Sequence, residues 1–202
     1  MSAVVIRDLP AERAIVSRQV LARGRIQDFV AETVDLGRAG TVVREFVDHP
    51  GAVGVMAMDD AGRILLQRQY RHPVRAELWE PPAGLLDVAG EDPLTAAKRE
   101  LAEEADLVAG DWRTLVRFCT TPGGCNERIA VFLARELTSV AADAAFIRQD
   151  EEVDLVPAWL RVDEAADLVL SGALSSPTAI VGILALAHAA TQPGGWDALP
   201  PA

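Results

Sequence analysis

Only one lysine, Lys98, occurs among the nineteen basic residues of this 202-residue chain, and thirty acidic residues leave a formal charge of −11. A protein that grips a nucleic-acid backbone needs clustered Lys and Arg to displace counterions, so DNA and RNA are excluded as main partners. Cysteine is scarce as well. Cys119 and Cys125 cannot form the framework of a small secreted domain, and both are expected to be packing or loop residues. No stretch approaches the roughly twenty apolar residues that a membrane-spanning helix requires. The opening residues place Arg7, Asp8 and Glu12 ahead of any long apolar run, which makes a poor signal peptide. A cytoplasmic protein is expected. Internal repeats are absent too.

Half of the residues are hydrophobic, and 202 residues are enough for one well-buried core but not for two large domains. Residues 13–20, 29–34 and 41–47 read as strands of an N-terminal sheet. Val53–Met58, the turn Asp59-Asp60-Ala61-Gly62 and Arg63–Tyr70 read as a hairpin. Further strands are expected at 115–119, 129–134 and 153–162, with helices at 93–105, 163–171 and 178–190. Pro193, Gly194, Gly195, Pro200 and Pro201 give the last residues the look of a loose tail. Strands interleaved with helices imply an α/β or α+β sandwich. The expected organisation is an N-terminal strand region over 1–50, a main domain over 51–190 and a flexible tail over 191–202.

Between Gly84 and Leu107 the chain runs GLLDVAGEDPLTAAKRELAEEADL, with Glu91, Glu100, Glu103 and Glu104 around Arg99 and with Glu80 just upstream. Asp92-Pro93 supplies an N-cap and a first-turn proline, so the start of a helix is written there. At about 100° per residue, Glu100 and Glu104 stack one turn apart with Glu103 beside them, while Leu94, Ala97, Leu101 and Ala105 form a separate stripe that a core can bury. Like charges at i,i+4 destabilise a helix and call for a compensating partner. Two readings are open from these residues alone: a solvated acidic face, or a site for a divalent cation. Hard oxygen donors without neighbouring His or Cys favour Mg²⁺ or Mn²⁺ over zinc.

The stretch resembles the Nudix box, G-x5-E-x7-R-E-U-x-E-E-x-G-U with U aliphatic. Glu91, Arg99-Glu100-Leu101 and Glu103-Glu104 match it in register. Two positions depart: six residues instead of five separate Gly84 from Glu91, and Asp106 stands where the pattern has glycine. If that glycine ends the helix with positive φ, aspartate tolerates the same conformation at modest cost. Beyond the box, Gln69-Tyr70-Arg71, Trp79-Glu80-Pro81-Pro82-Ala83-Gly84, the loop Thr121-Pro122-Gly123-Gly124-Cys125-Asn126-Glu127 and the acidic run Asp150-Glu151-Glu152-Val153-Asp154 are similar, in order, to segments of the ADP-ribose pyrophosphatases within that superfamily.

The resemblance implies an α/β/α Nudix fold with an N-terminal β-sheet appendage, and Mg-dependent hydrolysis of ADP-ribose to AMP and ribose 5-phosphate, with Mn possible in place of Mg. It implies metal binding by Glu100, Glu103, Glu104 and the backbone carbonyl of Ala83, and a catalytic base at Glu151 or, second, Glu152. Arg44, Arg71 and Glu127 are the implied substrate contacts, with Phe29 as a candidate against adenine. Arg99 is expected to orient Glu91 or a neighbouring carboxylate. A homodimer that exchanges N-terminal strands is implied as well. Two other readings stand beside this one: a hydrolase of another nucleoside diphosphate sugar or a dinucleotide, and a non-catalytic sensor of ADP-ribose-like ligands. A sensor would be expected to lose the box glutamates, which are all present here.

Overall fold

The computed structural model describes residues 6–141 and 155–202, and the backbone divides into two compact units. The first holds the residues up to His49 together with Gly123–Asn126. Its strands β1 (Ala14–Arg23), β2 (Asp28–Asp35) and β3 (Thr41–Asp48) form an antiparallel meander in the order β1-β2-β3. Arg18 ties the sheet across its width by pairing with both Glu32 and Asp48. Asn126 joins the same unit: its side chain accepts from the His49 N–H at 2.7 Å and donates to Asp48 at 2.6 Å. Every residue of β1 is exposed, Ile15, Val16 and Leu21 among them.

The second unit is built on a four-stranded sheet of order β7-β4-β9-β8, comprising β4 (Ala52–Ala57), β7 (Ala83–Leu85), β8 (Leu107–Cys119) and β9 (Arg128–Ser139). Strand β4 is buried at all six positions because it is covered on both faces, and its alternating side chains serve two cores. Val53, Val55 and Ala57 face helix α1 (Pro93–Ala105) with Ala96, Ala97 and Leu101, whereas Ala52, Met56 and Met58 share the opposite core with Ile183 and Leu186 of helix α3 (Pro177–Ala190). That is a helix–sheet–helix sandwich. Gly182 makes the second contact close, since a Cβ there would stand 2.7 Å from Met56 Sδ. A separate three-stranded sheet, β10-β5-β6, runs through β5 (Arg63–Arg71), β6 (Ala76–Glu80) and β10 (Val156–Arg161), the last leading directly into helix α2 (Val162–Leu170).

Two expectations need correction. The hairpin expected from Val53 to Tyr70 is a turn between two sheets: β4 and β5 share no ladder, and the chain between them is closed by the Met58–Ile64 bridge. Strand β4 has no edge to offer, because β9 pairs with it in parallel on one side and β7 antiparallel on the other. The C-terminal residues, expected as a loose tail, are packed. Trp196 Nε1 donates to the Leu186 carbonyl at 3.0 Å, and the Thr114 N–H donates to the Pro200 carbonyl at 2.9 Å. The segment thus covers part of the outer edge of β8, a position that otherwise leaves strand backbone unpaired.

Candidate active site

Helix α1 is fixed at both ends. The Asp92 carboxylate accepts from Thr95 Oγ1 at 2.5 Å and from the N–H groups of Leu94 and Thr95 at 3.0 and 3.2 Å, which holds its carboxyl below the usual range. At the other end Asp106 adopts φ 55°, ψ 34°, the left-handed conformation required after the last turn, and its N–H returns to the Ala102 carbonyl at 3.2 Å. The aspartate that departs from the box pattern therefore still caps the helix.

Between those ends the acidic stripe is not solvated. Glu100 and Glu104 are each only 8 % exposed, and carboxylates that deep do not stay ionised without partners. Arg99 supplies one. Its Nε and Nη2 fork onto both oxygens of Glu91 at 3.1 and 3.0 Å, while Nη1 reaches Glu100 at 2.6 Å and Glu103 at 3.2 Å. The hydrogen bonds from Arg99 hold the Glu91 carboxyl below its ordinary value, and those to Glu91, followed by the charge of Glu100, push the guanidinium further up. Both sequence alternatives for Arg99 hold at once: it orients Glu91 and also gathers the carboxylates of α1.

Strand β7 meets this cluster from the sheet. The Ala83 N–H donates to Glu104 Oε2 at 3.0 Å, and the glycine that follows leaves room for Glu100, whose carboxylate carbon would stand 2.0 Å from a Cβ on Gly84. From β5, Gln67 Nε2 donates to the backbone carbonyl of Glu104 at 2.8 Å. Arg71, at the end of the same strand, forks onto Glu80 Oε2 through Nε at 2.9 Å and Nη2 at 2.6 Å. Gln67, Arg71, Glu80, Ala83 and Glu104 line one small polar cavity of about 10 Å³. A larger cavity of about 300 Å³ is lined by the same Gln67 and Glu104 together with Leu65, Pro157 and Trp159.

Of the residues singled out in the sequence, the structure thus brings Arg71, Ala83 and Glu104 to one cavity and joins Glu100 and Glu103 to them through α1 and Arg99. Glu127 does not line that cavity; it stands just ahead of β9, where it accepts from Thr120 Oγ1 at 2.6 Å. Arg44 is an exposed residue of β3 in the N-terminal unit, with Nη1 donating to the Val43 carbonyl at 3.0 Å. Glu151 and Glu152 lie outside the described residues. The sequence motifs do not single out Gln67, although an amide directly after the apolar run Ile64-Leu65-Leu66 is a visible signal.

Among the described residues no three Asp, Glu, His or Cys side chains converge closely enough to form a metal cage. The donor set still fits a hard cation. Glu100, Glu103 and Glu104 offer only carboxylate oxygens, and Mg²⁺ takes one or two of these and completes its shell with water and phosphate oxygens. Four glutamates share Arg99 or lie on its helix, so the site carries more negative than positive charge.

A helix–sheet–helix sandwich with an arginine-clamped glutamate helix at the sheet's end describes a class of hydrolases acting on phosphate anhydrides. The family model for the NUDIX domain matches residues 48–178, and the chain belongs to the Nudix family. It is 44 % identical over 176 residues to an ADP-ribose pyrophosphatase of Mycobacterium tuberculosis, covering 87 % of this chain and 83 % of that one. A second ADP-ribose pyrophosphatase, from Bacillus subtilis, is 38 % identical over 79 % of this chain and 84 % of its own. A GDP-mannose pyrophosphatase of an Enterobacter strain is 26 % identical over 74 % of this chain and 82 % of its own. Among solved structures, the crystal structure of an ADP compounds hydrolase superposes with a TM-score of 0.75 at 18 % identity, over 95 % of this chain and all of that one, a likeness of fold.

Proposed function

We propose that this protein hydrolyses the diphosphate of ADP-ribose to AMP and ribose 5-phosphate with the help of Mg²⁺. The observation that carries the reading is the burial of Glu100 and Glu104 beside a single arginine, in a chain 44 % identical to an ADP-ribose pyrophosphatase. Buried carboxylates in excess of their guanidinium are poorly suited to be a solvated helix face and well suited to a divalent cation. They also weigh against a non-catalytic sensor, which has no need of such a cluster.

Glu100 and Glu104, with the carbonyl of Ala83, would hold the ion, and Glu103 would bridge or support it. Bound there, a divalent cation neutralises diphosphate charge and makes a water nucleophilic near neutral pH. The protein's own groups do the rest. Arg99 keeps Glu91, Glu100 and Glu103 in register, the Ala83 N–H fixes one oxygen of Glu104, and Arg71, oriented by Glu80, meets substrate anion. Sequence order assigns the proton of the attacking water to Glu151 first and Glu152 second. Arg44 and Glu127 are further substrate contacts on the strength of the sequence match. Cysteine usage supports a cytoplasmic location, and no helix among the described residues is long and apolar enough to cross a membrane. The exposed apolar residues of β1 support the homodimer, which sedimentation tests: a stable, active monomer would refute it.

The deciding experiment is a panel of ADP-ribose, ADP-glucose, GDP-mannose, NADH and diadenosine polyphosphates, each with and without Mg²⁺. ADP-ribose should lead in kcat/KM and require the ion. A second reading, hydrolysis of another nucleoside diphosphate sugar, gains if GDP-mannose leads, in keeping with the 26 % identical GDP-mannose pyrophosphatase.

A further inference from the structure

The Gln67 side chain is 5 % exposed and divides its two ends unequally. Its Nε2 donates to the Glu104 carbonyl at 2.8 Å, whereas Oε1 is buried and, among the described residues, has no hydrogen-bond partner. Exchanging the two atoms would set a carbonyl oxygen against a carbonyl oxygen, so the hydrogen bond to Glu104 fixes the assignment. Folded proteins rarely leave such an acceptor unsatisfied, because it forfeits its hydration and gains nothing in return. Directly opposite on β6, in register with Gln67, stands Glu80. The cavity shared by Gln67, Glu80, Ala83 and Glu104 measures about 10 Å³, about the space that one water occupies, and it has the polar walls that a buried water needs.

We infer that Gln67 is a positioning residue of the metal corner: its N–H holds the last turn of α1 through the Glu104 carbonyl, and its Oε1 accepts from a water that hydrates the cation at Glu104. This deepens the hydrolase reading and rests on it. The chemistry matches at both ends. Mg²⁺ and Mn²⁺ retain several waters when carboxylates bind them, and a water on a cation is a strengthened donor that seeks an acceptor. The amide supplies that acceptor without adding charge to an already acidic site. A leucine or methionine would fill the same volume in β5, where Ile64, Leu65 and Leu66 precede it, yet would leave the Glu104 carbonyl and the water each one partner short.

The test uses Mn²⁺ alone as probe, titrated into the full chain by electron paramagnetic resonance without substrate, alongside kcat and KM for ADP-ribose. Gln67→Met should weaken Mn²⁺ binding and lower kcat by about tenfold or more each, the range seen when groups that orient metal ligands are removed. KM should change little, and near-wild-type thermal unfolding should show that packing survives. Gln67→Asn, which keeps the amide but withdraws both contacts by one methylene, should fall with Met and provides the same comparison if Met does not fold. Wild-type Mn²⁺ affinity and kcat in a folded Met or Asn variant would overturn the role of Gln67 alone. A wild-type protein that binds no Mn²⁺ would overturn both this role and the hydrolase reading beneath it.

Discussion

Gly84 and Glu100 occupy one another's space: a Cβ on the glycine would lie 2.0 Å from the glutamate's carboxylate carbon and 2.5 Å from its Cγ. The atoms in the way are the far end of a side chain, so the backbone need not yield. Gly84→Ala should therefore leave thermal stability close to wild type while swinging the Glu100 carboxylate off its Arg99 contact. Misplacing a group at the chemistry by about 1 Å can cost about a hundredfold in rate. We expect kcat to fall by at least about that factor and Mn²⁺ affinity to fall with it; unchanged turnover would place Glu100 outside the reaction.

Glu104→Gln separates charge from shape. The Ala83 N–H can still donate to the amide oxygen at the position of Oε2, and the backbone bond to Gln67 is untouched, so the fold should persist. The negative charge is gone. If Glu104 holds the ion, kcat at saturating Mg²⁺ should drop by about a hundredfold or more, which corresponds to about 2.7 kcal/mol of the transition-state stabilisation that such an ion supplies. Wild-type turnover would remove Glu104 from the ligand set.

Stability at low pH should depend on Glu91. In the folded protein the fork from Arg99 holds its carboxyl below the ordinary glutamate value, so the unfolded chain takes up that proton first as pH falls. The stabilisation is complete above the unfolded value of about 4.3 and is lost as pH drops through the lower folded one. Glu91→Gln should accordingly flatten the acid limb of a Tm-versus-pH curve and lower Tm most at neutral pH. Parallel acid limbs in the two proteins would show that the fork contributes nothing.

How much of this was legible beforehand follows from how local each signal is. Helix α1 is readable because each of its signals is local: Asp92-Pro93 start it, Asp106 ends it, and the stripe residues Ala97 and Leu101 lie one turn apart. Strand β8 was read only in its last five residues, 115–119, although it begins at Leu107. Gly110, Asp111 and Arg113 break the alternation there, and their acceptability depends on distant partners: Arg135 from β9 joins Arg113 on Asp111. The separation of β4 from β5 was equally hidden, because it depends on β9, more than seventy residues away in sequence, taking the edge of β4. In the site, the box named the glutamates. It could not show that two of them are buried, nor that Gln67 from another strand touches their helix.

Asp106 stands where the box pattern has glycine, at φ 55°. An L-residue pays about 1 kcal/mol for that conformation, less for aspartate than for alanine. Asp106→Gly should leave Tm equal or slightly raised, and Asp106→Ala should lower stability by about 1 kcal/mol in urea titration. A stabilising alanine would show that the helix end does not need the left-handed cap.

Arg71 gives Nε and Nη2 to Glu80, which leaves Nη1 as the guanidinium nitrogen outside the fork and turns the arginine into an oriented donor at the cavity. Lysine cannot reproduce that arrangement: it presents one ammonium on a flexible stem and cannot keep a planar fork on Glu80 while offering a fixed direction to an anion. A charged hydrogen bond to substrate contributes about 1.5–3 kcal/mol. If it forms equally in the bound substrate and the transition state, its loss appears in KM and not in kcat. Arg71→Lys should therefore raise KM for ADP-ribose by about tenfold or more at nearly constant kcat, and Glu80→Gln should do the same to a smaller extent by loosening the arginine. If kcat falls while KM holds, Arg71 contacts charge that develops only in the transition state, and Glu80→Gln should then lower kcat as well.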